Sequence, residues 1–176
     1  MGQYYKAIIL GPSGLTYEHI RTWLCSFSYG NGTKLIEHSY LKNKYVCTFE
    51  RLLCPEGMFY MSRAVWAGDY ADKEPNLDKN LHELAEDEKV IAPNDRIDKK
   101  YRFLVNHTKK QYVDKEALES NIHPLPLLLC EGNGRGGGDY HGVDEAMCGL
   151  WARDVISVEE ESPEGYAQLL CRFGDD

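Results

Sequence analysis

Four aspartates, two histidines and one arginine carry the side chains most able to do chemistry. Asp69 and Asp72 follow Trp66 in "WAGDYAD", Asp139 and His141 close the stretch "GNGRGGGDYHG" around Arg135, Asp154 lies in "WARDV", and His38 lies in "KLIEHSY". If three of the aspartates met within a few ångströms, their oxygens would hold Mg²⁺ or Ca²⁺. One alone, its pKa raised by its surroundings, would act as a base. Read as a hydrolase, the chain would use Asp69 and Asp139 with Mg²⁺, and His38 or His141 would move protons. The structural alternative for Asp69 and Asp154 is to accept hydrogen bonds from backbone N–H groups at turns. Outside the hydrolase reading no cofactor or metal is called for.

The glycine stretch offers a different chemistry. Gly132 to Gly137 formally satisfies G-x-G-x-x-G. A dinucleotide site needs a crossover helix of some ten residues, and only "VDEAMCGLW" separates Gly142 from the next strand-like segment, so that reading is rejected. What remains is a bare main chain whose N–H groups can line a concavity for an anion. Gly134, Gly136, Gly137 and Gly138 supply the backbone, and Arg135 a planar donor fork for phosphate or carboxylate. Trp66, Tyr70 and Tyr140 are the rings expected to stack on the ligand, which is then small, anionic and nucleotide-like. The plain alternative is a flexible surface loop over 132–142. W-A-x-D occurs at Trp66 to Asp69 and again at Trp151 to Asp154, and GNG and GDY also occur twice. Unequal spacings exclude a strict repeat, but similar strand-to-loop turns are expected to converge.

Other chemistries find no support. The histidines show no H-x-H or H-E-x-x-H spacing, and there is no G-x-S-x-G elbow. The six cysteines form no CxxC pair and sit among apolar neighbours, as buried reduced thiols do. A net charge of −8 opposes general nucleic-acid binding. It permits a third role, a protein inhibitor presenting acidic patches to a basic host enzyme. With no leader segment and no apolar run of membrane length, a soluble cytoplasmic protein without membrane contact is expected. Tyrosine-rich strand edges suit a homodimer.

These residues need elements to position them. One domain over 1–176 is expected, α+β and strand-dominated, with mainly antiparallel sheet and two or three short helices. Strands are predicted at "QYYKAIIL", "KLIEHSY", "MSRAVWAG", "IHPLPLLLCEG", "WARDVISVEEE" and "GYAQLLCRF", and a hairpin at "YRFLVNHTKKQYVD". Helices are predicted at "TYEHIRTWLC", with Thr16 as N-cap, at "YVCTFERLL", stopped by Pro55, and at "NLHELAEDEKV". The tip 174–176 is left loose.

The blocks "MGQYYK", "YGNGTKLIEHSY", "VWAGDYAD", "FLVNHTKKQYVD", "IHPLPLLLCEGNGRGGGDY" and "WARDVISVE" resemble a set of bacterial and bacteriophage proteins without an assigned activity, in which M-G-Q-Y, G-x-K-L-x-E, W-A-G-D and G-G-G-D recur. The resemblance spans nearly the whole chain and brings no catalytic residue with it. It implies a small cytoplasmic protein of a bacterium or phage. By association, it implies a host defence protein as partner, or capture of a nucleotide-derived defence signal.

Overall fold

The computed structural model of the chain describes residues 3–11, 20–86, 100–132 and 140–174. Thr16, residues 87–99, and Gly134, Arg135, Gly136, Gly137, Gly138 and Asp139 lie outside them. Among the described residues the fold is a single α+β domain with a mostly antiparallel sheet.

The alternation of "YKAIIL" explains the centre of the sheet. Strand β1 (Tyr5–Leu10) sends Tyr5, Ala7 and Ile9 to one face, and Ile8 and Leu10 to the other. Strand β3 (Ser62–Gly68) pairs with it antiparallel and does the same with Ala64 and Trp66 against Val65 and Ala67. Both faces are therefore covered, which is why these strands read as continuous apolar runs. Outward from this pair lie β2 (Ile20–Leu24) on one side, and β7 (Val155–Glu159), β4 (Phe103–Asn106), β5 (Gln111–Asp114) and β8 (Ala167–Gln168) on the other. Strand β6 (Cys130–Glu131) pairs with β3 in parallel. The hairpin of β4 and β5 stands where its two β-branched arms place it.

Four short helices complete the layers: α1 (Leu35–His38), α2 (Lys44–Leu53), α3 (Leu81–Leu84) and α4 (Pro124–Leu129). Asn43 caps α2 by accepting from the Tyr45 N–H at 2.9 Å. Tyr45 of α2 inserts its hydroxyl between β1 and β2, accepting from the Ala7 N–H and donating to the Leu24 carbonyl, both at 3.0 Å.

Three predicted elements are corrected. "IRTWL" is a strand, because its branched and aromatic residues find the open edge of β1. "LIEH" is one helical turn, closed where the Glu37 carboxylate accepts from the Lys34 N–H at 3.0 Å. "PLPLLL" is the helix α4, with all six residues buried. A run apolar at every position carries no period to separate helix from strand.

Helix α2 also anchors a buried ion cluster. Glu50 accepts from Lys115 Nζ and from His123 Nε2, each at 2.7 Å. His123 Nδ1 accepts from the Leu125 N–H at 3.1 Å, which puts the ring proton on the nitrogen facing Glu50. Burial alone would raise the Glu50 carboxyl, but Lys115 and His123 outweigh it and bring it down to about 2. A carboxylate depressed in the folded state stabilises above its unfolded pKa, here near 4.5, and loses that contribution as pH falls towards 2. Unfolding by urea at stepped pH is expected to show this loss, about 3 kcal/mol in full. Glu50→Gln should be less stable at pH 7 and flatter than the parent below pH 4.5. An unchanged acid slope would remove Glu50 as its source.

Candidate functional site

The glycine stretch leaves the sheet beside the end of β3. Parallel pairing sets Ala67 against Glu131, so the chain entering the stretch runs next to Gly68. A Cβ at Gly68 would lie 2.7 Å from the Glu131 carbonyl oxygen and 3.0 Å from the Tyr5 ring, so only glycine allows this approach. Arg153 locks the same corner. Its guanidinium is forked onto both Glu74 and Glu131, with Nη1 3.1 Å from Glu74 Oε2 and Nη2 3.1 Å from Glu131 Oε2. At the far end of the stretch Tyr140 is buried, edge-on to Phe173. Its hydroxyl donates to the Val143 carbonyl and accepts from the Gly174 N–H at 3.2 Å.

The expected site residues separate. Tyr70 is an exposed ring at this corner, 46% accessible. Asp69 there accepts from the Tyr4 N–H at 3.0 Å. Trp66 is fully buried, ringed by His38, Tyr45 and Phe49 with centroids 4.9 to 5.9 Å away. Its stacking role is thus corrected: no ring face is left for a ligand. Tyr140 is likewise a packing residue, because its ring and hydroxyl are both engaged. His38, expected as a proton carrier, is buried and structural. Its Nδ1–H donates to the Gly32 carbonyl at 3.0 Å, and its Nε2 accepts from the Trp66 indole at 2.9 Å. Burial pushes its pKa down to about 4. His141 is exposed, 3.1 Å from Glu145. Asp154 accepts from the Asn106 amide at 2.8 Å and from the Lys109 ammonium. Among the described residues no three His, Cys, Asp or Glu side chains are grouped to hold a metal ion.

A concave site lies elsewhere, between the end of α2, the start of β4 and the end of β7. It is a cleft of about 480 Å³ lined by Tyr60, Tyr101, His107 and Glu159 together with Glu56, Lys100, Glu160 and Glu161. That volume suits a small organic molecule. The polar groups form a directed chain. Glu159 can only accept, so Ser157 Oγ donates to its Oε1 at 2.7 Å, and Tyr60 does so at 2.6 Å. Ser157 must then accept from His107 Nε2–H at 2.7 Å, leaving His107 Nδ1 to accept from the Tyr166 hydroxyl at 3.1 Å. The imidazole is therefore neutral, and burial lowers its pKa. The bond to Glu159 drives the Tyr60 phenol up to about 12, so it stays a donor. Tyr101 donates to Glu56, and Lys100 lies 2.8 Å from Glu160.

Sequence reasoning did not place this cleft. Its legible trace was the acidic run Glu159–Glu161 closed by Ser162 and Pro163, which reads equally as a solvated strand end. No helix among the described residues is long and apolar enough to cross a membrane. The architecture and cleft define an α+β domain with room for a small ligand. Neither protein-family models, nor curated proteins, nor solved structures match the chain.

Proposed function

We propose that the chain is a small-molecule binding protein whose cleft takes a ligand with an ammonium or guanidinium group. The observation that supports this is the charge of the wall. Glu56, Glu159, Glu160 and Glu161 face a cleft with Lys100 as the one lining cation, so an entering cation meets an attractive field focused by the walls. Glu159 is the preferred contact. Tyr60 and Ser157 occupy its Oε1, and Oε2 accepts no hydrogen bond among the described residues. Tyr60, an exposed ring, offers surface for the ligand's carbon stem.

Calorimetric titration with agmatine, putrescine and tyramine tests the reading. Binding to the parent is expected, with a loss of about tenfold or more in Glu159→Gln, because a charge-assisted bond becomes a neutral one. Absence of heat with all three amines, or equal affinity in the variant, would remove the reading.

A second reading rests on the register between β3 and β6. It is an anionic, nucleotide-like ligand held where the glycine stretch leaves the sheet, with Arg135 as donor and Tyr70 as stacking ring. Capture of a nucleotide-derived defence signal by a phage protein belongs to this reading. Nucleotides, cyclic dinucleotides and ADP-ribose raise the melting temperature under it, and Arg135→Ala and Tyr70→Ala cancel the rise. Chromatography of the recovered ligand separates capture from hydrolysis. Binding is kept ahead of hydrolysis, because His38 is engaged in the core and a hydrolase would have to rely on the exposed His141.

A further inference from the structure

Two of the six cysteines stand at the roots of the glycine stretch. Cys130 ends α4 and opens β6, and Cys148 follows a 3-10 turn at Glu145–Met147; each is 3% accessible. One acceptor ties them together. The Leu127 carbonyl receives the Cys130 thiol at 3.2 Å and the Gly149 N–H at 2.9 Å. Those two bonds put the Cys130 sulfur no more than about 6 Å from the nitrogen that follows Cys148. The contact continues along the backbone. The Trp151 N–H donates to the Leu128 carbonyl at 2.8 Å, so residues 149–151 run beside 127–130. Gly149 has φ +78°, and a Cβ there would stand 2.7 Å from the Cys130 carbonyl oxygen. Glycine thus lets the segment carrying Cys148 close onto Cys130.

We propose that Cys130 and Cys148 form a redox-active dithiol that a hydroperoxide converts to a disulfide across the roots of the glycine stretch. The two thiols are inequivalent. Their mutual interaction holds Cys148 below the ordinary thiol range and, together with burial, pushes Cys130 well above it. Burial pushes Cys47 up to about 11 and Cys171 up to about 12. The thiolate is the attacking species, so Cys148 reacts first. Its sulfur attacks the outer peroxide oxygen, the O–O bond breaks, and the leaving alkoxide takes a proton to become an alcohol. Cys148 is then a sulfenic acid, oxidised by two electrons. The Cys130 sulfur attacks the Cys148 sulfur, the S–S bond forms, and hydroxide leaves with the Cys130 proton as water. Two thiols and one hydroperoxide become one disulfide, one alcohol and one water. Burial restricts the reaction to small oxidants. The bond would close a ring over the seventeen residues between the two cysteines, which include Gly132 to Gly142.

Treatment of the reduced full chain with stoichiometric hydrogen peroxide, followed by intact mass and peptide mapping, tests this. The expected product has lost two hydrogens and carries a single cross-link, Cys130 to Cys148. Cys130→Ser should stop at a Cys148 sulfenic acid that dimedone traps, and Cys148→Ser should form neither species. Because the cross-link is read in the parent protein, poor folding of a variant does not spoil the test. Six intact thiols after peroxide, a cross-link joining another pair in the folded chain, or dimedone capture spread over other cysteines would each overturn the proposal.

Discussion

Arg153→Ala is expected to lower the stability of the domain by about 3 to 5 kcal/mol, because it strands the buried carboxylate of Glu74 and removes the partner of the half-buried Glu131. Glu74 is 3% exposed, and its carboxylate faces Glu131 across the Arg153 guanidinium. The arginine is held in place through its own backbone, with φ +66°. Its N–H donates to the Ala64 carbonyl at 2.8 Å, and its carbonyl accepts from Arg63 Nη1 at 3.0 Å. That position sends the side chain across the end of β3 to tie the Glu74 turn to β6. Lysine is no substitute, since one ammonium cannot fork onto two carboxylates, so Arg153→Lys should recover only part of the loss. Urea denaturation of both variants at pH 7 measures the effect. A change below 1 kcal/mol in Arg153→Ala would mean that the two carboxylates find water or protons instead. The same substitution should loosen the corner from which the glycine stretch departs. Any ligand bound there would weaken with it, while the cleft near Glu159 should keep its affinity.

Trp66→Ala is the second large effect, again about 3 to 5 kcal/mol, and here the cause is a cavity. The indole fills the space between β3 and α2 against Tyr45 and Phe49, and its N–H is the donor that His38 Nε2 accepts. Trp66→Phe separates the two contributions. Most of the volume stays while the buried imidazole loses its partner, at about 1 to 3 kcal/mol. The pH dependence carries a second signature. His38 is held at about 4, below its usual 6.5, so it stabilises fully above pH 6.5 and loses that contribution as pH falls to 4. The drop is about 3 kcal/mol, in a window that precedes the one set by Glu50. Replacing His38 by Gln should remove its share of the drop in the upper window, where His82, also pushed down to about 4 by burial, supplies the rest, and leave the lower window unchanged. NMR titration of a His38 ring that protonates near 6.5 in the folded state would contradict the whole assignment.

The two tryptophans of the W-A-x-D segments show how far local reading reaches. The repeated pattern predicts a strand-to-loop turn at each tryptophan, but only the first comes near it: Trp66 lies inside β3 close to its end, whereas Trp151 lies in the turn that leads into β7, and both are buried. The aspartates after them serve different partners, a backbone N–H for Asp69 and an ammonium and amide for Asp154. Those partners come from residues 4, 106 and 109, far away in sequence, so the motif alone could not distinguish them. The same holds for His38. Alternation along "KLIEHSY" predicts a strand, while the structure makes a single turn there because Glu37 closes it onto Lys34 and the imidazole is drawn to the indole of a strand 28 residues on. In α4, Pro124 directly after His123 was a legible start signal, since proline suits the first position of a helix.

By itself the sequence determined the class of the domain, α+β with an antiparallel hairpin and two central apolar strands, because side-chain period and turn residues act over a few neighbours. It also marked the glycine stretch as a place of bare backbone. Only the tertiary structure decided that Trp66 and Tyr140 pack inward, that Arg153 binds two acids, that the Cys130 thiol and the Gly149 N–H share one carbonyl, and that Glu159 turns towards a cleft. Each of these depends on which segments meet across the sheet, and such meetings are set by the packing of the whole chain rather than by any window along it.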